Sequence, residues 1–287
     1  MNIERFVEAR KAKGLNQNEL ADGICTQATL SRFENNGQAP SLKILIQLCH
    51  RLDLPLNELF PKVSPKYSDL IEKMDEAEFA LIVSEYDKVE AIIQTIDTEA
   101  IDNEDIRLRY HYLKAFSMIY HQKDPMQILY EFDQINLSES TETASIYRLL
   151  AHTGTGMVYQ QMGELEKAEF YFSKVLDKIY DYTTETMEDV WRVLHIVFQG
   201  SQFYASISEI EISNALAEHA ISICADNHVT YYLARAALQL AKNAMATNEP
   251  TEKTLELIYD ARAYSKINRN KIALAELEVM EQKIKQQ

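Results

Sequence analysis

The sequence predicts an all-α protein in which a small five-helix domain precedes a longer solenoid of paired helices. Three observations support this fold class. Only seven glycines and six prolines occur in 287 residues, too few for the many tight turns of a strand-rich protein. Hydrophobic residues make up 46% of the chain, so a substantial core can be buried. After residue 66, helical periodicity continues almost without interruption.

Prolines and charge both divide the chain into two regions. The segment Pro61 to Pro65 separates them and predicts a linker over 61–65, between domains at 1–60 and 66–287. Residues 1–62 carry eight basic and seven acidic side chains, a charge of +1, and the rest carries 21 and 37, a charge of −16. The larger domain would therefore repel phosphate, whereas the smaller one can approach it.

The cellular location is predicted from two absences in the sequence. The first six residues, Met-Asn-Ile-Glu-Arg-Phe, are too charged for a secretory signal. No apolar run approaches the roughly 20 residues of a membrane span. We therefore expect a cytoplasmic protein without a membrane partner. The three cysteines (Cys25, Cys49 and Cys224) have no paired spacing, which favours reduced thiols.

Turn signals divide the first domain into five short helices. Gly14 can adopt the left-handed conformation that ends the first helix, and Asn16 can cap the second. The predicted ranges are Ile3–Lys13, Gln17–Ile24, Gln27–Asn35, Leu42–Leu52 and a last turn at Leu56–Phe60.

The third of these helices is predicted to bind DNA. Its apolar side chains fall on one face together with those of the preceding helix: Leu20, Ala21, Ile24, Leu30 and Phe33. The opposite face suits a major groove, because glutamine pairs with adenine, arginine with guanine or phosphate, and a threonine methyl contacts thymine. The candidate DNA-binding residues are Gln17, Thr26, Gln27, Ala28, Thr29, Arg32 and Asn36. Gln27, Thr29 and Arg32 are assigned to bases, and Gln17 and Asn36 to phosphates. The alternative is a helical bundle without a DNA role.

Three segments of the first domain resemble the phage-repressor (XRE, Cro/C1-type) helix-turn-helix family. They are Leu15–Ala21, Ser31–Gly37 and Pro40–Leu45, and the resemblance covers residues 3 to 60. It implies a five-helix domain that binds double-stranded DNA. Because the domain is nearly neutral, a monomer would gain little from counterion release. A homodimer on a pseudo-palindromic operator would compensate.

The second domain contains internal similarity at a period near the roughly 34 residues of a tetratricopeptide repeat. In the clearest unit, Leu149–Ile179, small residues and aromatics recur at the spacing that this repeat uses for close helix contact: Gly156, Tyr159, Gly163, Ala168 and Phe172. Less regular units are Tyr67–Ile96, Leu108–Ile135, Val190–Cys224 and Thr230–Ile267, followed by a closing helix at Lys271–Lys285. A tetratricopeptide-like solenoid is therefore predicted.

The combination of the two domains resembles the Rgg/NprR/PlcR/PrgX (RNPP) family of peptide-responsive regulators. Ile24–Gln27, Leu30–Glu34 and Ala39–Ser41 are similar to its PlcR branch in particular, as is the placement of the repeats after the linker. The resemblance implies a transcription regulator of quorum sensing. Such a homodimer binds a short signalling peptide in the concave face of the repeats and changes promoter occupancy.

The repeat architecture indicates where such a peptide would bind. The first helix of each pair lines the concave face, so side chains one turn apart point into a shared groove. The candidate peptide-binding residues are Arg109, Tyr112, Phe116, Leu150, Thr153, Met157, Gln160, His195, Phe198 and Gln202. Their mixture of apolar and amide-bearing side chains suits an extended peptide. At each position, the alternative is a packing role.

Catalytic and metal-binding interpretations find no support in the sequence. The seven histidines never form the H-E-x-x-H spacing or another ligand set. Gly154-Thr155-Gly156 is a lone G-x-G inside a helix, which close helix packing explains better than phosphate binding. We expect no enzymatic activity, no cofactor and no metal. A second hypothesis is that the repeats form a protein-interaction scaffold, with a DNA-binding head regulated by a folded protein partner.

Overall fold

The computed structural model describes residues 3–36, 40–55, 67–138, 144–180, 182–184 and 186–285. Within these residues every regular element is helical, which confirms the predicted all-α fold class. The chain divides into two compact units, Met1–Leu70 and Ile71–Gln287. The predicted linker at 61–65 and the predicted turn at Leu56–Phe60 lie outside the described residues. No described helix is long and apolar enough to cross a membrane.

The first unit contains four described helices around an apolar core. They are α1 (Ile3–Ala12), α2 (Gln17–Ala21), α3 (Gln27–Asn36) and α4 (Leu42–Arg51). Phe6 of α1 and Phe33 of α3 are completely buried and meet edge to face, with ring centroids 5.0 Å apart. Helix α2 ends three residues earlier than predicted, because the chain turns at Gly23, which has a φ of 70°.

The second unit is a stack of helical hairpins. Its helices are α5 (Ser68–Ile82), α6 (Tyr86–Gln94), α7 (Glu104–Tyr120), α8 (Pro125–Asn136), α9 (Ala144–Gln161), α10 (Leu165–Ile179), α11 (Met187–Ser206), α12 (Ile210–Asp226), α13 (Leu233–Ala246), α14 (Thr251–Ile267) and α15 (Lys271–Lys285). Helices α5 to α14 form five consecutive pairs. We call the first helix of each pair an inner helix. Three inner helices, α7, α9 and α11, begin earlier than the predicted repeat units. Asn103 caps α7 and Thr186 caps α11.

A left-handed residue closes each hairpin turn. These residues are Ser84, Gln122, Gly163, Ser208 and Asn248, so successive turns are 38, 41, 45 and 40 residues apart. In every turn the next residue donates its N–H to the carbonyl five residues earlier, as Glu164 does to Tyr159 at 2.9 Å. The repeat is therefore longer than the predicted period of about 34 residues, because the inner helices are long, with 20 residues in α11.

Two glycines allow the third hairpin to pack closely, as the sequence predicted for Gly154-Thr155-Gly156. A Cβ atom on Gly154 would lie 2.0 Å from the ring of Phe132 in α8. One on Gly156 would lie 2.8 Å from the ring of Phe172 in α10. These contacts explain the G-x-G segment by helix packing.

Candidate functional site

The turn between α2 and α3 is built from local hydrogen bonds. Asn16 caps α2 by accepting a hydrogen bond from the backbone N–H of Glu19 at 3.0 Å, and the Glu19 carboxylate accepts one from the N–H of Asn16. At the start of α3, the Thr26 hydroxyl accepts the N–H of Thr29 at 3.2 Å. The two caps fix where α2 and α3 begin.

The predicted DNA-reading face of α3 is exposed. Thr26, Gln27, Ala28 and Arg32 are exposed, and Thr29 is half-buried with its hydroxyl 2.8 Å from that of Thr26. Leu30 and Phe33, on the opposite face, are completely buried. A DNA groove could therefore contact the polar face without unfolding the helix. Asn36 ends α3, but its side chain lies outside the described residues.

A polar network that sequence reasoning missed holds the two candidate glutamines. Arg10 donates two hydrogen bonds to the Glu34 carboxylate, at 2.7 and 2.8 Å, and a third to the carbonyl of Leu15. Gln17 donates to the same carboxylate at 2.8 Å, and Gln27 donates to Gln17 at 2.7 Å. The network orients Gln17 and Gln27 in advance of any ligand. Gln17, assigned to phosphate from the sequence, thus also bonds within the domain.

The inner helices of the repeats bring many of the candidate peptide-binding residues together. The Phe116 and His195 rings, from α7 and α11, have centroids 4.7 Å apart and meet edge to face. His195 also lies 3.0 Å from the Tyr232 hydroxyl, and Phe198 meets the same tyrosine ring at 5.7 Å. Tyr112 packs edge to face on Phe116. Helices two repeats apart thus meet directly through these side chains.

Most of these candidates are buried in this structure. The buried ones are Arg109, Tyr112, Phe116, Leu150, Thr153, Met157, His195 and Phe198, and three of them, Phe116, Leu150 and Thr153, have no exposed surface. Gln160 is half-buried and donates to Ser206 at 2.9 Å, and Gln202 is exposed. The inner face is therefore a packed layer where the sequence analysis expected an open groove. A role of these residues in peptide binding stays a prediction.

Burial of His195 has a measurable consequence for stability. Desolvation, aided by the positive charge of Arg235, lowers the pKa of His195 to about 3. In the unfolded chain a histidine takes up a proton below about pH 6.5, whereas His195 stays neutral in the fold. The contribution of His195 to the free energy of unfolding should therefore fall by about 1.4 kcal/mol per pH unit as the pH drops from about 6 to about 4.5.

The contribution of His195 can be isolated by comparing urea denaturation of the wild type and a His195→Phe variant at several pH values. The variant retains an aromatic ring but has no titrating group. Its stability should depend less steeply on pH than that of the wild type. Parallel pH profiles would contradict a neutral, buried His195.

No group of described histidine, cysteine, aspartate and glutamate side chains could hold a metal ion. The inner face instead contains a buried ion cluster that sequence reasoning did not find. Arg109, a predicted peptide contact, donates to the buried carboxylate of Glu78 at 2.8 Å, and Arg192 donates to the same group. The partners are 31 and 114 residues from Glu78, so no local sequence signal links them.

Comparison with known proteins identifies the first unit. A helix-turn-helix family model matches residues 7–59. The first unit is a helix-turn-helix domain. This match confirms the XRE-type domain predicted from the sequence, and it places α2 and α3 of the helix-turn-helix domain within the matched segment. No curated protein matches the chain.

Solved structures resemble nearly the whole chain. PlcR from Bacillus thuringiensis, in complex with the peptide PapR7 and DNA, has a TM-score of 0.69 at 14% identity, with 98% of each chain covered. ComR from S. thermophilus, in complex with DNA and its signalling peptide ComS, has a TM-score of 0.61 at 13% identity, again with 98% of each chain covered. The apo form of B. thuringiensis PlcR has a TM-score of 0.59 at 14% identity, with 99% of each chain covered. These likenesses confirm the predicted fold, a helix-turn-helix domain followed by helical repeats.

Proposed function

We propose that this protein is a sequence-specific DNA-binding transcription regulator controlled by a short signalling peptide, as in quorum sensing. The observation that carries the proposal is the exposed polar face of α3, with Gln27, Ala28 and Arg32, in a helix-turn-helix domain. Helices of this kind place such side chains against base edges in the major groove. Gln27, Thr29 and Arg32 are the proposed base contacts.

Binding as a homodimer follows from the weak charge of the helix-turn-helix domain. With a net charge of +1 over residues 1–62, one domain would release few counterions from DNA. Two domains on the half-sites of a pseudo-palindromic operator would double the contacts. A peptide would switch the regulator by binding two dimer arrangements unequally, because a ligand with equal affinity for both changes nothing.

Replacement of Arg32 by alanine tests the DNA-binding role. If Arg32 contacts a base, the variant should bind its operator about 1 to 3 kcal/mol more weakly and lose selectivity at one position. The measurement is a gel-shift titration on an operator selected from random DNA. Arg5→Ala is the charge-matched control, because it removes the same charge from α1 and should change affinity less. Equal affinity of the wild type and Arg32→Ala would refute base readout by Arg32.

The peptide-sensing part is supported by the shared fold with PlcR and ComR, whose solved complexes contain the peptide PapR7 and the signalling peptide ComS. A peptide that binds the folded repeats should raise the melting temperature with the logarithm of its concentration once that concentration exceeds Kd, with about 2.7 kcal/mol of stabilisation at 100 times Kd. Candidate peptides are the C-terminal segments of small open reading frames beside the gene. Stabilisation only by a folded protein would favour the interaction-scaffold hypothesis instead.

A further inference from the structure

The second half of α5 is held by arginines from three other inner helices. Arg109 of α7 and Arg192 of α11 both donate to the Glu78 carboxylate. Arg235 of α13 donates to the carbonyl of Ile82, at the end of α5, at 2.6 Å. The first inner helix therefore lies against the inner faces of three later repeats.

Glu78 is the centre of this arrangement and has no exposed surface. Its carboxylate accepts the Nε–H groups of Arg109 and Arg192, each at 2.8 Å, and a further hydrogen bond from Nη2 of Arg192 at 3.0 Å. Burial opposes ionisation, but the guanidinium groups of Arg192 and Arg109 outweigh it and hold the pKa of Glu78 below its usual range. Two planar guanidinium groups thus converge on one carboxylate, an anion whose geometry matches theirs.

An aromatic site adjoins the carboxylate site. Phe79, the next residue of α5, meets the Tyr231 ring edge to face at 5.4 Å and the Trp191 ring at 6.2 Å. The indole N–H of Trp191 and Nε2 of His195 are both buried without a hydrogen-bond partner among the described residues. Glu78 and Phe79 therefore fill neighbouring anionic and aromatic sites on the inner face, beside polar atoms that have unused hydrogen-bonding capacity.

Stability alone does not account for this arrangement. A buried ion pair contributes little compared with well-packed apolar side chains, because both charges must be desolvated. Buried polar atoms without partners are costly and need a separate explanation. A site that exchanges one occupant for another explains both features, because an incoming ligand can take over the arginines and also use the free N–H and imidazole groups.

We propose that Arg109 and Arg192 form the binding site for a carboxylate of the peptide ligand, and that Glu78 and Phe79 of α5 fill this site when no ligand is present. The inference rests on the proposed function and specifies the ligand: a peptide with a carboxylate beside a large apolar side chain. Binding replaces the Glu78 carboxylate with that of the peptide, and displacement of α5 also releases Asp75, which accepts a hydrogen bond from Arg109 at 2.6 Å.

The test adds the segment of α5 that fills the site as a separate peptide. The probe is a fluorescein-labelled peptide with the sequence of residues 75–82, Asp-Glu-Ala-Glu-Phe-Ala-Leu-Ile, blocked at its C-terminus and added to the full chain. Full chains carrying Glu78→Gln or Phe79→Ala should bind it about ten-fold more tightly than the wild type, because their own α5 competes less. A second probe has glutamine in place of the glutamate that corresponds to Glu78. It should bind these chains about ten-fold more weakly than the first probe does. Glu76→Gln is the control, because Glu76 is exposed on the same helix and should leave binding unchanged.

Trp191 provides a second readout, since it is the only tryptophan in the chain and packs on Phe79. Its emission should shift to longer wavelength as an unlabelled probe displaces α5, because the bound peptide can accept a hydrogen bond from the indole N–H, which has no partner among the described residues. Equal binding of the two probes, or equal binding by the wild type and the Phe79→Ala chain, would overturn the proposal. If Glu78→Gln does not fold, the comparison of the wild type with Phe79→Ala tests the proposal. Phe79 is already 38% exposed, so its replacement should leave the chain folded. No DNA is involved, so a negative result here leaves operator binding to be judged separately.

Discussion

Replacing Glu34 by alanine should unfold the helix-turn-helix domain and abolish operator binding. The Glu34 side chain is 3% exposed and accepts two of the three hydrogen bonds of the Arg10 guanidinium. Its removal leaves Arg10, 12% exposed, as an uncompensated buried charge. Breaking a buried pair in this way costs about 3 to 5 kcal/mol. That is comparable with the whole stability of many small domains, about 5 kcal/mol at the lower end.

Hydrogen exchange on the full chain measures this effect directly. Amides of α1 and α3 should lose protection in Glu34→Ala, while those of the repeats remain protected. The control is Glu8→Ala, which breaks an exposed pair with Arg5 at 3.9 Å and should cost at most about 1 kcal/mol. Wild-type protection of α1 and α3 in Glu34→Ala would show that the Arg10–Glu34 pair does not hold the domain together.

The second large effect is expected from Gly154→Ala in the third hairpin. The added methyl group would lie 2.0 Å from one atom of the Phe132 ring and within 2.7 Å of two others. Phe132 has no exposed surface and packs against Phe116 at 5.5 Å, so the ring has no free space to enter. Overpacking of this severity should destabilise the repeat unit by about 3 kcal/mol.

A second glycine in an inner helix supplies the matched control. A Cβ atom on Gly200 would lie 3.3 Å from the end of the flexible Leu216 side chain, which can move. The gain in helix propensity, about 1 kcal/mol, should offset the remaining crowding. In urea denaturation followed by circular dichroism, the unfolding midpoint should therefore be lower for Gly154→Ala than for the wild type. The midpoint of Gly200→Ala should be nearly unchanged. Equal midpoints would contradict the tight contact between α8 and α9.

Local signals predicted the elements, but not the spacing of the repeats. Gly14 has the predicted left-handed conformation, with a φ of 68°, and Asn16 caps α2, because a glycine or a capping side chain acts on its immediate neighbours. The hairpin turns at Ser84, Gln122 and Ser208 use left-handed residues that are not glycine. Such turns carry weak sequence signals, so the longer repeat period was missed.

The candidate sites show the same division between local and distant effects. Helical periodicity was enough to place Gln27 and Arg32 on the exposed face of α3. It also predicted that Phe116 and His195 point to the same side of the repeats. It could not predict that their rings meet at 4.7 Å, because that distance depends on how sharply the successive hairpins curve. The Glu78 cluster was missed for the same reason.

The packed inner layer has a consequence for rates. Phe116, Leu150 and Thr153 have no surface that a diffusing molecule can touch, so any ligand that binds among them must wait for the hairpins to separate. At high ligand concentration, the observed association rate should then level off at the frequency of spontaneous opening. A protein of this kind responds to a ligand no faster than its hairpins open, so a pulse of ligand shorter than the opening time has no effect.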